Sequence, residues 1–247
     1  EDPARAGEMV AGFARGLQDA GMLAVLKHFP GHGDTDVDSH LGLPIVAHPR
    51  ERLDSVELAP FRAGIAAGAS GVMVGHIELP STDSEKQPAT FSPKVINTLL
   101  RPGFNGLIYS DSMKMAAITR MATAGEAAVG AVKAGIDVIL DSPDSAAAAA
   151  GIVAAVKAGE IPRTQVEQSA RRILESKARL GLHRARTVHP GAVELCNDVD
   201  ENCTAGLREG CPSSTIMFGS VAYGMVAGPQ TGTAVASACG SANQALI

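Results

Sequence analysis

The sequence predicts an α/β fold of repeated βα units around a parallel sheet, with a working edge of the (β/α) barrel kind. Three observations predict it. Helical periodicity alternates with short apolar runs from residue 7 to about residue 182. Each apolar run follows a helix-like segment, in two cases one closing on Ala-Gly, the composition of a helix C-terminus and a tight return to a sheet. Each run also ends on a polar, chemistry-bearing residue, and the C-terminal ends of parallel strands are where such sheets bind ligands.

Taken in order, Met22 to Leu26 leads into Lys27-His28, and Gly71 to Gly75 leads into His76. Gly106 to Tyr109 leads into Ser110-Asp111, and Ile136 to Leu140 leads into Asp141. The helix before the first run closes on Asp19-Ala20-Gly21, and the helix before the fourth closes on Lys133-Ala134-Gly135. Ser92-Pro93 carries a capping side chain followed by Pro, which marks a helix start. Two further helices are expected over 146–158 and 163–180, the second with an apolar stripe of Val166, Ala170, Ile173, Leu174 and Leu180. His28, His76, Asp111 and Asp141 thus share one edge of the sheet, although His76 and Asp141 also suit plain capping or turn roles.

The bulk numbers bound the rest. A chain of 247 residues, 45% hydrophobic and 19% charged, can bury one sizeable core, or a core with an appendage. A net charge of −5, with no run of Lys or Arg, offers no electrostatic footprint for nucleic acid or anionic lipid. A neutral or small anionic substrate fits better. No stretch reaches the roughly 18 apolar residues of a membrane span, and Glu1-Asp2-Pro3-Ala4-Arg5 is not the start of a signal peptide. All four cysteines, Cys196, Cys203, Cys211 and Cys239, lie in the last quarter, so the first 195 residues carry no thiol chemistry. The periodicity stops at about residue 183. Two regions follow: a βα domain over 1–182, and an irregular Cys-containing, Gly/Ser/Ala-rich tail over 183–247.

The densest chemistry lies just after the first strand. Lys27-His28-Phe29-Pro30-Gly31-His32-Gly33-Asp34-Thr35-Asp36-Val37-Asp38-Ser39-His40 packs three His and three Asp among turn residues. Two chemistries suit it. His and carboxylates can ligate a divalent metal. Alternatively, Asp38 can orient His40 as an acid/base pair, the carboxylate holding the imidazole proton. Spacing alone does not separate the two.

This string, followed about seventy positions later by a strand ending in Ser110-Asp111 and then Ser112-Met113-Lys114-Met115-Ala116-Ala117-Ile118, resembles the β-N-acetylglucosaminidase branch of glycoside hydrolase family three, the NagZ-type enzymes. The long string is highly specific, the short Ser-Asp element much less so, and the resemblance runs over roughly residues 1 to 182. It implies a TIM-type (β/α) barrel of which this chain holds about the last four βα units. The first half, which in the family supplies a sugar-binding Asp and Arg, would then lie outside the chain, together with the natural N-terminus. Open barrel edges of this kind invite self-association.

The resemblance also implies roles. Asp111 would be the nucleophile that forms a covalent glycosyl-enzyme intermediate, His40 the general acid/base and Asp38 its partner. Glycosidases ordinarily use a second carboxylate where His40 stands. A neutral imidazole beside an anionic nucleophile avoids like-charge repulsion, and its ordinary pKa suits proton transfer near neutrality. Lys27 and His28 would bind hydroxyls of N-acetylglucosamine, with His76 beside them on the same edge, while His32, Asp34 and Asp36 would shape the loop. The expected activity is removal of terminal β-linked N-acetylhexosamine from cell-wall muropeptides or short amino-sugar chains, in a bacterial cytoplasm or after export. It needs no cofactor, and either water or phosphate could accept the glycosyl group. A non-catalytic barrel fragment that binds carbohydrate and a metal-dependent hydrolase are the alternatives.

In the tail, Thr187-Val188-His189-Pro190-Gly191-Ala192-Val193-Glu194-Leu195-Cys196, with Asp198, Asp200, Glu201 and Cys203, resembles the Cys-flanked acidic repeats of some bacterial surface proteins. That makes Asp198, Asp200 and Glu201 weak candidates for Ca²⁺ ligands, against the plainer reading of a solvated acidic turn.

Overall fold

The computed structural model describes residues 2–35, 39 and 41–182. The chain divides into two units, residues 1–172 and 173–247; the sheet lies in the first, and the described part of the second ends at residue 182. The tail with its four cysteines and Asp198, Asp200 and Glu201 lies outside the described residues.

The first unit is an α/β structure on a four-stranded parallel sheet in sequential order: β1 (Val25–Phe29), β2 (Gly71–Val74), β3 (Leu107–Ser112) and β4 (Val138–Leu140). Among the described residues the sheet does not close into a barrel. Parallel neighbours need a crossover between them, and helices supply it. Every residue of β2 is buried, as are the first four of β3, which is the pattern of a sheet covered on both faces.

The helices follow from local signals. α1 (Pro3–Asp19) starts where Asp2 accepts the amide hydrogens of Ala4 and Arg5, with Pro at its first position. Between β1 and β2 come the single turn α2 (Arg50–Arg52), a π-helical turn over Leu53–Glu57, and α3 (Ala59–Ala66). Phe61 on α3 meets Phe29 on β1 edge to face, ring centroids 5.3 Å apart, which anchors the crossover to the strand. The expected start at Ser92-Pro93 is present: Ser92 Oγ accepts the Val95 amide, opening α4 (Pro93–Val95), which continues as a π-helical turn to Leu100. After β3 come α5 (Ala116–Thr119) and α6 (Ala124–Ala134). Thr123 and Glu126 form a capping box at the start of α6, and Gly135, at φ 108°, ends it in the left-handed conformation that glycine adopts without strain. α7 (Ser145–Lys157) and α8 (Arg163–Arg179) complete the order.

Two sequence expectations are corrected. β1 lies three residues further on than the apolar run Met22 to Leu26, so Lys27 and His28 stand inside the strand instead of after it. The apolar stripe expected on α8 is only partly covered: Val166, Ile173 and Leu180 are half-buried, whereas Leu174 is 65% exposed and Ala170 is exposed as well. Up to Arg172 that helix is held by polar bonds. Ser169 and Arg172 donate to the buried carboxylate of Asp137, which also accepts from Arg101 and from the Ile108 amide of β3.

Candidate active site

The C-terminal edge of the sheet gathers the chemistry, and the strands are irregular where it does so. The β1–β2 register shifts between Leu26 and Phe29, the stretch that holds Lys27 and His28. The β3–β4 register shifts between Tyr109 and Ser112, the stretch that holds Ser110 and Asp111. Such irregularities turn side chains off the regular alternation of a strand. The result is that His28 on β1 and Asp111 on β3 meet across the end of β2, His28 Nε2 standing 3.5 Å from Asp111 Oδ2.

Gly75, at the end of β2, makes this approach feasible. A side chain there would bring its first carbon 3.2 Å from the Cβ of His28, and the Gly75 amide instead donates to the Phe29 carbonyl at 2.8 Å. The Asp111 side chain is 15% exposed at the sheet edge. Its Oδ1 accepts the Ser112 amide at 2.8 Å, which leaves Oδ2 facing His28. One carboxylate oxygen is thus held by a backbone donor and the other stands beside the His28 ring. Lys27 is exposed on the same strand and His28 half-buried.

Beneath them lies His76. Its ring is 0% exposed and both nitrogens are engaged: Nδ1 is 2.8 Å from Thr90 Oγ1 and Nε2 is 3.0 Å from the Ser112 carbonyl. A carbonyl only accepts, so Nε2 carries a hydrogen, while Nδ1 faces a Thr90 hydroxyl that also lies 3.2 Å from the Gly75 carbonyl. Burial pulls the imidazole below its ordinary pKa, more than the Ser112 bond and the charge of Asp111 restore. Expected among the sugar-contacting residues, His76 is placed instead as a tie between the ends of β2 and β3, with neither nitrogen left for a hydroxyl.

Asp141 follows β4 at φ 50°, a conformation that Asp tolerates better than most residues. Its Oδ2 accepts from Ser112 Oγ at 2.8 Å and its Oδ1 pairs with Lys114 Nζ at 2.7 Å. Ser112 and Lys114 were not singled out from the sequence, nor were Thr90 and Gly75. Their signals, a Ser-Met-Lys at the end of the strand and a glycine before a histidine, are too short to read alone.

In the loop after β1, His32 bridges Thr35 Oγ1 at 2.6 Å and Ser39 Oγ at 3.3 Å, while Asp34 meets His48 at 2.7 Å. Both therefore work within the loop and its surroundings. Asp36, Asp38 and His40 lie outside the described residues, so the acid/base pair expected from the sequence has no geometry here.

The site is thus an Asp and a His at the C-terminal edge of a parallel α/β sheet, and the comparisons give the family. Residues 1–176 match the family described as the glycosyl hydrolase family 3 N terminal domain, and the chain belongs to it. The β-hexosaminidase of Xylella fastidiosa (strain 9a5c) is 42% identical over 138 residues, 53% of this chain and 41% of that protein. The β-hexosaminidase LpqI of Mycobacterium bovis (strain BCG / Pasteur 1173P2) is 37% identical over 187 residues, 71% of this chain and 47% of that one. Among solved structures, a glycoside hydrolase family 3 β-N-acetylglucosaminidase from Paenibacillus sp. str. FPU-7 superposes with a TM-score of 0.67 at 43% identity, covering 76% of this chain and 37% of its own. The chain spans less than half the length of each of these relatives.

Proposed function

We propose that this chain carries the nucleophile and acid/base face of a retaining β-N-acetylhexosaminidase, acting on terminal β-linked N-acetylglucosamine of cell-wall fragments or short amino-sugar chains. The observation that carries the reading is the meeting of His28 and Asp111 at the C-terminal edge of the sheet. In the first step an Asp111 oxygen attacks the anomeric carbon, the glycosidic C–O bond breaks, and the leaving oxygen takes a proton from the imidazolium form of His40, which is left neutral. In the second, His40 takes a proton from water, whose oxygen attacks the anomeric carbon and releases Asp111. Asp38 orients His40 throughout, and Lys27 and His28 bind ring hydroxyls. The names of the relatives support the sugar and the reaction class. The barrel edge supports Asp111 as nucleophile, because that edge is where barrel enzymes place their chemistry.

The test is hydrolysis of an aryl N-acetyl-β-glucosaminide by the full chain and by Asp111→Ala. The substitution is expected to lower kcat/KM by at least about a thousandfold, and a slow-turnover fluorinated glycosyl donor should add its mass to wild type but not to the variant. Equal rates would remove Asp111 from the nucleophile role. A second reading, sugar binding without turnover, is favoured by the four-stranded, unclosed sheet. It predicts saturable binding of N-acetylglucosamine by calorimetry with no aryl release.

A further inference from the structure

A second cluster of ligating groups lies in and beside the loop after β1. Asp34, His48 and Glu57 each offer a ligand atom, and the three atoms lie within 4.8 Å of one another. His48 Nε2 is 2.7 Å from Asp34 Oδ2, and the Arg52 guanidinium reaches that same oxygen at 3.3 Å and Glu57 Oε1 at 3.1 Å. The Glu57 side chain is only 8% exposed, and its Oε2 is buried without a hydrogen-bond partner among the described residues. A buried carboxylate oxygen with no donor is costly unless a cation or a donor comes to it. Arg52 brings one positive charge to two carboxylates and leaves that oxygen unsatisfied.

We propose that Asp34, His48 and Glu57 form a site for a divalent transition-metal ion, with Zn²⁺ the best fit. One imidazole nitrogen and two carboxylate oxygens make a three-residue set with a fourth position for water, the pattern of an open tetrahedral zinc site. Mg²⁺ and Ca²⁺ prefer shells made of oxygen alone. Tetrahedral ligands at zinc bond lengths stand about 3.4 Å apart, so the trio must contract modestly. Asp34, 62% exposed, has the freedom to do so. Arg52, whose side chain is 41% exposed, is the cation the metal must displace.

The three residues come from two stretches of chain. Asp34 belongs to the loop after β1, His48 and Glu57 to the segment that leads into α3, and the ion would fasten one to the other. Asp38 and His40 follow Asp34 closely in the sequence, so on the functional reading above the ion steadies the segment that carries the acid/base pair. The site itself does not depend on that reading.

The experiment is a calorimetric titration of the full chain with Zn²⁺, and in parallel with Mg²⁺, after chelator treatment and with the cysteines blocked by alkylation. Wild type should bind one Zn²⁺ that Mg²⁺ does not match. Asp34→Asn and His48→Ala should each weaken binding roughly tenfold or more, and Glu57→Gln should weaken it likewise. Arg52→Ala should tighten it, because the competing cation is gone. Absence of Zn²⁺ binding by wild type overturns the proposal. So does an isotherm unchanged in both Asp34→Asn and His48→Ala, or one weakened in Arg52→Ala. No turnover is measured, so failure here leaves the role of Asp111 untouched, and failure of that role leaves this site standing.

Discussion

His76 and Asp111 both follow or end an apolar run, yet they have opposite relations to solvent. Asp111 opens to the edge, whereas His76 is wholly buried and spends both nitrogens on Thr90 and Ser112. A histidine kept neutral by burial has a folded pKa below its unfolded value of 6.5. On acidification the unfolded chain therefore takes up a proton first. The stability tied to His76 is complete above that value and falls as the pH drops below it, by up to about 1.4 kcal/mol per pH unit until the folded pKa is reached. Urea unfolding at about pH 7.5 and about pH 5.5 should show this loss in wild type and a flatter dependence in His76→Gln. An unchanged slope in the variant would take His76 out of the acid response. Residue types and their order pointed to the edge, but they did not separate a partly exposed side chain from one wholly buried beneath it. That depends on Thr90 and Ser112, which lie in other segments of the chain.

At the scale of elements, caps and loop seats dominate. Ser92 caps α4 through the Val95 amide while donating its own hydrogen to Asp83 Oδ2 at 2.5 Å. Burial alone would raise the Asp83 carboxyl, but bonds from Ser92, Gln87, the Glu85 amide and Lys94 outweigh it and hold the pKa well below the ordinary carboxylate range. The stability Asp83 contributes is thus present at neutral pH and is lost as the pH falls through the carboxylate range. Ser92→Ala removes both bonds and should lower unfolding stability by about 1–2 kcal/mol, read from the urea midpoint. The loop after β1 turns at Gly31, φ 133°, where an added Cβ would meet the Glu57 Cβ at 2.9 Å. Gly31→Ala should therefore cost about 1–3 kcal/mol and increase amide hydrogen exchange across the loop. The Ser92-Pro93 start and the Gly135 stop were legible because each is encoded within a few neighbouring residues. The limits of β1 and the exposed face of α8 were not. A strand ends where its partner's ladder ends, and Ser169 and Arg172 are drawn in by Asp137, whose burial no local pattern displays.

For the whole first unit, Asp137 is the polar counterpart of the apolar core. Its side chain is fully buried and pairs with Arg101 at 2.9 Å and Arg172 at 2.8 Å, while also holding Ser169 and the Ile108 amide. Removing one member of such a network strands the others. Asp137→Ala should cost about 3–5 kcal/mol, with circular dichroism and fluorescence losing structure at one common, lowered urea midpoint. By itself the sequence determined the α/β class, the four strands, the family likeness and the residue types at the sheet edge, because periodicity, caps and motifs reside in neighbouring positions. Only the tertiary structure decided that His28 reaches Asp111 over Gly75, that His76 faces inward, and that Asp34, His48 and Glu57 converge. Those distances are set by the order of the strands and the irregularities in their pairing, which join residues that the chain itself keeps far apart.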